Sequence, residues 1–442
     1  MWALIIMTVA ISAFVYYFTR RLDHPVFLFS VLWGFIYVLY QVELFSLTEV
    51  NENSLAILIV MTLCFPLGCF FYSVIAKKKI YADNRVERLS GISHNISSEI
   101  PSNAPKTVLR TKLFWGFCII AIAVLLRDQF EIITDLIQGA SFQDIMREAG
   151  GKGTVEISGG FMVFAYLFIV HPVTYMISPV CAVEFFTRKK NKYRYLVLNI
   201  VIVALSVAHH GGRNALIVFA ICYVMAFYIY KKQSLISKAM KRFMILTIAV
   251  IAVLLLLISD SRGIDDVWKS FYAYFVCDIP IMQDVVNYPL VQNNQTMGFL
   301  SFNGLLYPIF TVLSVFGIGA PNIYALTQTI RYYVEDHRIF IGDYSHTMNA
   351  FMPAGSYFYI DGGFVFEIIG MAAYGFLCAY FYHRQKKYND NKSVAIYLLI
   401  IFGILLSFTR FYFTSYMYAL AFVYILLFYK NTNPKIRFKF RF

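Results

Sequence analysis

Long apolar stretches follow one another along this chain, separated by short polar breaks. Crossing a bilayer as a helix takes about 20 apolar residues, with a working range near 17–25. Eleven stretches are candidates: 2–18, 25–42, 54–76, 113–127, 159–186, 194–208, 214–230, 243–259, 363–382, 393–409 and 411–429. The stretch 305–319 is also apolar, with Pro308 inside it, but a crossing there would turn the run 384–392 away from the other basic runs. It reads instead as a helix lying in the interface or dipping into the outer leaflet.

The breaks carry charge unevenly. Of the 38 Lys and Arg residues, 29 fall in six regions: Arg20-Arg21, 77–112, 188–194, 231–242, 384–392 and 430–441. Cytoplasmic loops are enriched in these residues, and putting all six inside lets every span alternate without forcing any segment. The N-terminus is then outside and the C-terminus inside. Outside lie 43–53, 128–158, the corner 209–213, the long stretch 260–362 and the turn at Arg410. The expected fold is all-α: a polytopic integral membrane protein of about eleven transmembrane helices with one long periplasmic loop. It divides into an N-terminal bundle over 1–259 with a cytoplasmic loop at 77–112, the periplasmic loop 260–362, and C-terminal helices with a basic cytoplasmic tail over 363–442.

Composition agrees with a bilayer environment. The chain is 59% apolar and 14% charged, with mean hydropathy +0.63, whereas soluble domains carry about 25% charged residues. The 43 Phe and 33 Tyr suit a protein with many rings at headgroup level. The net charge of +13 sits in runs between apolar stretches, so it signals orientation and no nucleic-acid partner. Six of the seven cysteines lie in apolar stretches and Cys277 stands alone outside them, so no disulfide framework is expected. The first stretch lacks a basic leader and a small-residue cleavage site and reads as a retained helix. Residues 84–112, rich in Ser and Asn with two prolines, read as a loosely ordered cytoplasmic loop. The absence of an internal repeat argues against transporters built from two symmetric halves.

Candidate chemistry concentrates outside. Arg213 follows Gly211-Gly212 at the head of a descending helix. An arginine at that depth is costly unless paired or solvated, and beside a helix N-terminus it offers a forked donor to a diphosphate. Arg262 ends an ascending helix beside Asp260, and Arg410 lies in a turn of a few residues between two spans. Arg331 and Arg338 flank Glu335-Asp336, where at least one is expected to be a local ion-pair partner; Arg338 joins the candidate anion-binding set. His346, near the end of the long loop, can accept a proton near neutral pH and is the candidate base. His171-Pro172 reads as a kink inside a span, and the adjacent His209 and His210 diverge on a helix and make a poor chelate. No metal motif, paired CxxC or phosphate-cradling glycine loop is present, so neither metal nor cofactor is expected.

Two motifs carry a resemblance. The run Gly211-Gly212-Arg213-Asn214-Ala215-Leu216 is similar to the small-residue–Arg–small–Leu corner of Wzy-type oligosaccharide repeat-unit polymerases. Tyr359-Ile360-Asp361-Gly362-Gly363 resembles that family's aromatic–Asp–x–Gly motif, and the next helix carries Gly370 and Gly375, as the family's often does. The order of basic loop, arginine corner, long outer loop and terminal spans is also similar. The resemblance implies an O-antigen polymerase of the bacterial inner membrane, joining undecaprenyl-diphosphate-linked oligosaccharides at the periplasmic face, with membrane lipid and a chain-length regulator as partners. By likeness to the related O-antigen ligases, it implies a metal-independent inverting glycosyltransferase. Arg213, Arg262, Arg338 and Arg410 would then bind diphosphate, with His346 and Arg262 catalytic. The ligases usually place Asn directly after that histidine, whereas Thr347 stands here. The alternatives are a ligase moving finished polymer and a flippase for the same lipid-linked sugar; a flippase path would need charges that the spans lack, with Glu184 and Glu367 the exceptions near their ends.

Overall fold

The computed structural model describes residues 1–44, 46–47, 49–89, 107–137, 160–210, 214–231, 267–340, 348–349 and 352–431. Its first helices are α1 (Trp2–Thr19), α2 (Pro25–Gln41), α3 (Glu52–Leu89) and, after strand β1 (Thr107–Leu109), α4 (Thr111–Ile137). Next come α5 (Gly160–Ala165), a π-helical turn (Tyr166–Val170), α6 (His171–Thr187), α7 (Lys192–His210) and α8 (Asn214–Lys231). The stretch expected from sequence to lie outside holds α9 (Val267–Val276), α10 (Asp278–Asn287), α11 (Pro289–Gln292), α12 (Asn303–Val315), α13 (Asn322–Asp336) and strands β2 (Arg338–Ile339) and β3 (Met348–Asn349). The chain closes with α14 (Ala354–Tyr388), α15 (Asn391–Leu405), a 3-10 turn (Tyr412–Thr414), α16 (Tyr416–Phe428) and β4 (Tyr429–Asn431).

Among the described residues, six helices are long and apolar enough to cross a membrane: Trp2–Thr19, Glu52–Ala76, Thr111–Phe130, Tyr166–Thr187, Lys192–His209 and Ala354–Tyr388. The protein is therefore a predominantly helical, multi-pass membrane protein, with only short strands among the described residues. Helices α2, α8, α15 and α16 fall on predicted spans but are shorter. With 15 and 13 residues, α15 and α16 rise only about 20–23 Å at 1.5 Å per residue, less than a hydrocarbon core of about 30 Å. The predicted span 243–259 lies outside the described residues.

The described parts of five of the six basic regions, all but 231–242, meet at one end of the bundle. There β1 pairs antiparallel with β4, and the Arg110 N–H donates to the Phe428 carbonyl at 2.7 Å. Asn391 and Tyr429 both donate to Glu184, which also pairs with Arg188. Lys386 pairs with the buried Asp23 at 2.5 Å. In mid-bundle, α3 and α14 cross at backbone contact: a Cβ on Gly68 would sit 1.9 Å from the Ala372 carbonyl oxygen, and one on Gly375 would sit 2.0 Å from that of Phe65. Glycine is required at both because the obstacle is backbone, as in close helix crossings within membranes.

At the opposite end, the outer helices cap the bundle. The Tyr272 hydroxyl donates to the Leu39 carbonyl at the end of α2, and Gln283 accepts from the Asn51 N–H at the start of α3. Helix α13 docks on α10 and α11 through a His337–Asp284 contact and a Tyr288–Tyr333 stack at 4.1 Å. Helix α12, at the stretch read as interfacial, turns Leu305, Ile309, Val312 and Val315 outward, the last 80% exposed. These residues form one helical stripe.

Two local features differ in detail from the expectations. The helix that the aromatic–Asp–x–Gly motif opens is present, but a further helical piece precedes it: α14 starts at Ala354 and consists of two helical pieces that meet at the motif. The motif breaks that helix, at Gly362 and at Gly363, whose φ of +68° and ψ of −160° lie where only glycine is comfortable. Asp361 is fully buried and accepts hydrogen bonds from the Thr296 hydroxyl (2.5 Å) and the Leu300 and Ser301 N–H groups (3.1 and 3.0 Å), pinning the turn before α12. Arg410 does not sit in a turn of a few residues. Helix α15 stops at Leu405, and 406–415 runs as a largely buried irregular segment below the outer helices. Its backbone is satisfied from outside: Thr409 and Ser407 carbonyls accept from Met352 and Ala354, and the Thr414 carbonyl accepts from Asn303. Irregular backbone at membrane depth needs such protein cover.

Candidate functional site

Helix α13 carries Arg331 and Glu335 one turn apart, where side chains on one face meet. Arg331 grips both Glu335 oxygens, at 3.1 Å through Nε and 3.2 Å through Nη2, and its Nη1 donates to Gln328 at 3.1 Å. From the irregular segment below, Arg410 brings Nη1 to 3.9 Å from Glu335 Oε1. One carboxylate thus lies between two guanidinium groups and leaves an excess positive charge. The Arg331, Glu335 and Arg410 side chains are 16%, 32% and 28% exposed, so the cluster is half-buried and still open to solvent. Burial works against the charge on Glu335, but Arg410 and then Arg331 outweigh it and hold the carboxyl below its usual range. Tyr357, Tyr412 and Tyr175 lie around Arg410 as neutral phenols. At 3.9 Å the Glu335 contact leaves most of the forked donor capacity of Arg410 unspent.

An aromatic track runs from this cluster to the last turn of α7. The Arg331 guanidinium lies 5.5 Å above the Tyr307 ring, and Tyr307 stacks on Tyr416 at 5.2 Å. The Tyr416 hydroxyl meets His171 Nδ1 at 2.5 Å. His171 packs beside Tyr166, whose ring stacks on His209 at 5.8 Å. His209 Nδ1 lies 3.2 Å from Asp128 Oδ2, and the Tyr166 hydroxyl also donates to that carboxylate. The π-helical turn explains the alignment. Five residues along an α-helix rotate a side chain by about 140°, but an i→i+5 turn returns the fifth residue toward the starting face. The His171 N–H closes such a turn on the Tyr166 carbonyl.

Of the residues singled out from sequence, Arg410 belongs to this cluster. The other four cannot be placed in it: Arg213, Arg262 and His346 lie outside the described residues, and Arg338 is described only in its backbone, paired in β2 opposite Asn349. Arg331 is the local ion-pair partner anticipated for Glu335. His171, read as a kink, and His209, read only as a poor chelate, are both drawn into the aromatic track, together with Asp128, Tyr307 and Tyr416. Asp128, a carboxylate ending an apolar stretch, was the one available sequence hint; nothing in the sequence pairs it with His209, 81 positions later. Among the described residues, no group of three or more His, Cys, Asp or Glu side chains is arranged to hold a metal ion. No family model, curated protein or solved structure matches the chain.

Proposed function

We propose that this protein is a Wzy-type polysaccharide polymerase. It would transfer a growing glycan from a polyprenyl diphosphate carrier to the sugar end of another lipid-linked repeat unit. The observation that supports this most is the Arg331–Glu335–Arg410 cluster. It carries excess positive charge, is half-buried beneath the outer helices, and lies at the end of the bundle opposite the basic regions. A lipid-linked diphosphate places its anionic group at that boundary. Guanidinium keeps its charge there and presents planar pairs of donors suited to phosphate oxygens. Helix α12, with its outward apolar stripe beside the cluster, supports the same reading, since a polyprenyl chain needs an apolar approach.

In this reaction an acceptor hydroxyl oxygen attacks the anomeric carbon of the donor sugar. The bond from that carbon to the diphosphate oxygen breaks, and the hydroxyl proton passes to a base. His346 is assigned that role from the sequence motif, with Arg213 and Arg262 joining Arg410 around the diphosphate. Diphosphate is already a good leaving group, so positioning and charge stabilisation carry most of the rate. The test is Arg410→Ala beside Arg410→Lys, read as polymer length in cells and as membrane insertion of the protein. Loss of one charge-stabilising donor costs ~10²–10³ in rate, so Arg410→Ala should leave single repeat units, with little rescue by lysine. Wild-type polymer from a normally inserted Arg410→Ala protein would overturn the assignment. Loss of every surface glycan, single units included, would point to a ligase.

A further inference from the structure

A second site lies on the same outer face. A cavity of about 270 Å³ opens between the start of α3, the segment after α11 and the break in α14. It is lined by the amide-bearing residues Asn53, Gln292, Asn294 and Gln295, by Tyr359 and by Gly363, with Val286, Val291 and Ile360 completing the wall. No lining residue is charged. We propose that this cavity binds a neutral pyranose, the terminal sugar of the incoming acceptor repeat unit; the acceptor part rests on the polymerase reading.

The chemistry of the lining selects the ligand. Each primary amide offers both donors and an acceptor, which matches a hydroxyl that donates and accepts at once. Tyr359 adds an apolar ring face with a polar tip, suited to a ring that has C–H faces and hydroxyl edges. A charged ligand would find no counter-ion here, and leaving a charge unpaired in a recess is expensive. The volume falls just below the usual range of small-molecule sites, which starts near 300 Å³, so it suits one small ring better than an extended chain.

The walls are fixed in place. Gln292, Asn294 and Gln295 lead directly into Thr296, and Tyr359, Ile360 and Gly363 flank Asp361; the Thr296–Asp361 hydrogen bond of 2.5 Å therefore clamps the two sides. Gly363 leaves open space where a side chain would stand. Asn53 and Tyr359 meet at 3.3 Å across the rim. The clamp continues to the arginines. Beyond the pinned turn, Gln328 donates to Asn303 at 2.7 Å and Arg331 donates to Gln328 at 3.1 Å. The sugar cavity and the anion cluster are thus linked through Asp361, the turn it pins, Asn303 and Gln328.

The test uses the full-length protein in nanodiscs. All seven native cysteines are buried, so Gln295→Cys supplies a reactive thiol at the cavity, and its maleimide labelling rate reports occupancy. Glucose, N-acetylglucosamine and rhamnose are the neutral probes, with glucuronate and glycerol as controls. At least one neutral sugar should slow labelling several-fold, glucuronate and glycerol should not, and Asn53→Ala should abolish the protection. In parallel, elongation of lipid-linked repeat units extracted from cells lacking the protein is measured for Asn53→Ala, Gln292→Ala and Gln295→Ala. Losing one amide hydrogen bond should raise the acceptor KM by about two- to tenfold with a smaller change in kcat. Absence of protection by every neutral sugar, together with unchanged KM in all three variants, overturns the site and leaves the polymerase reading standing. Protection equal to that by glycerol marks an unselective polyol cleft and also overturns it. Sugar protection in a protein that cannot elongate keeps the cavity and sinks the polymerase reading.

Discussion

Replacing Glu335 by glutamine should move stability and anion affinity in opposite directions. Its carboxylate takes two hydrogen bonds from Arg331, at 3.1 and 3.2 Å, and lies 3.9 Å from Arg410. At an effective dielectric of about 20, a unit pair at that last distance interacts by roughly 4 kcal/mol before any desolvation is counted. A side chain 32% exposed keeps only part of this. Glutamine retains one acceptor but turns an N–H toward the Arg331 fork, and it leaves two guanidinium groups facing each other. The net cost should be about 1–2 kcal/mol of stability. The same two guanidinium groups, freed from their carboxylate, should hold inorganic pyrophosphate more tightly, by roughly three- to tenfold for about 1 kcal/mol of relieved competition. The assay is thermal unfolding of the purified full-length protein in detergent, alone and across a pyrophosphate series. The variant should start from a lower midpoint and climb more steeply with ligand. An unchanged starting midpoint would mean that the carboxylate does not organise the cluster. A ligand-dependent rise no steeper than that of the wild type would refute the idea that both arginines face one anion.

Three further outcomes follow from the geometry. Asp361→Asn places an NH₂ where Ser301 or Leu300 now donates, losing a hydrogen bond inside the fold, and should cost about 1–3 kcal/mol; thermal unfolding together with faster proteolysis near 296–301 would reveal it. Gly375→Ala drives a methyl into the Phe65 carbonyl and should destabilise by about 1–3 kcal/mol or more, whereas Gly116→Ala, with nothing within 4 Å of the added carbon, should be nearly neutral in the same unfolding assay. Acidification should weaken the outer cap: because the folded Glu335 carboxyl lies below its ordinary value of 4.5, its contribution is complete above that pH and disappears as pH falls through the lowered value. The unfolding midpoint should therefore drop below about pH 4.5, and Glu335→Gln should lack that part of the drop.

Hydropathy and the distribution of Lys and Arg determined, without coordinates, that this is a helical multi-pass membrane protein. The apolar requirement of a bilayer and the charge asymmetry of its two faces are both written residue by residue along the chain. Arg331 and Arg338 flanking Glu335-Asp336 likewise announced a local ion pair, and the structure makes Arg331, one helical turn before Glu335, the partner. Tertiary structure alone decided the rest. After α15 stops at Leu405, the segment 406–415 stays irregular because Met352, Ala354 and Asn303 supply hydrogen-bond partners for its carbonyls, a fact about residues more than fifty positions away. Arg410 consequently lies under a roof, against Glu335 from another element. Asp361 proved to be a clamp on the turn before α12, since its partners are 60–65 residues upstream. His171 and His209 looked unremarkable one at a time; a π-helical turn and a stack of rings from separate helices aligned them. Local pattern specifies what a segment is. Which polar groups meet is settled by packing among segments far apart in the chain.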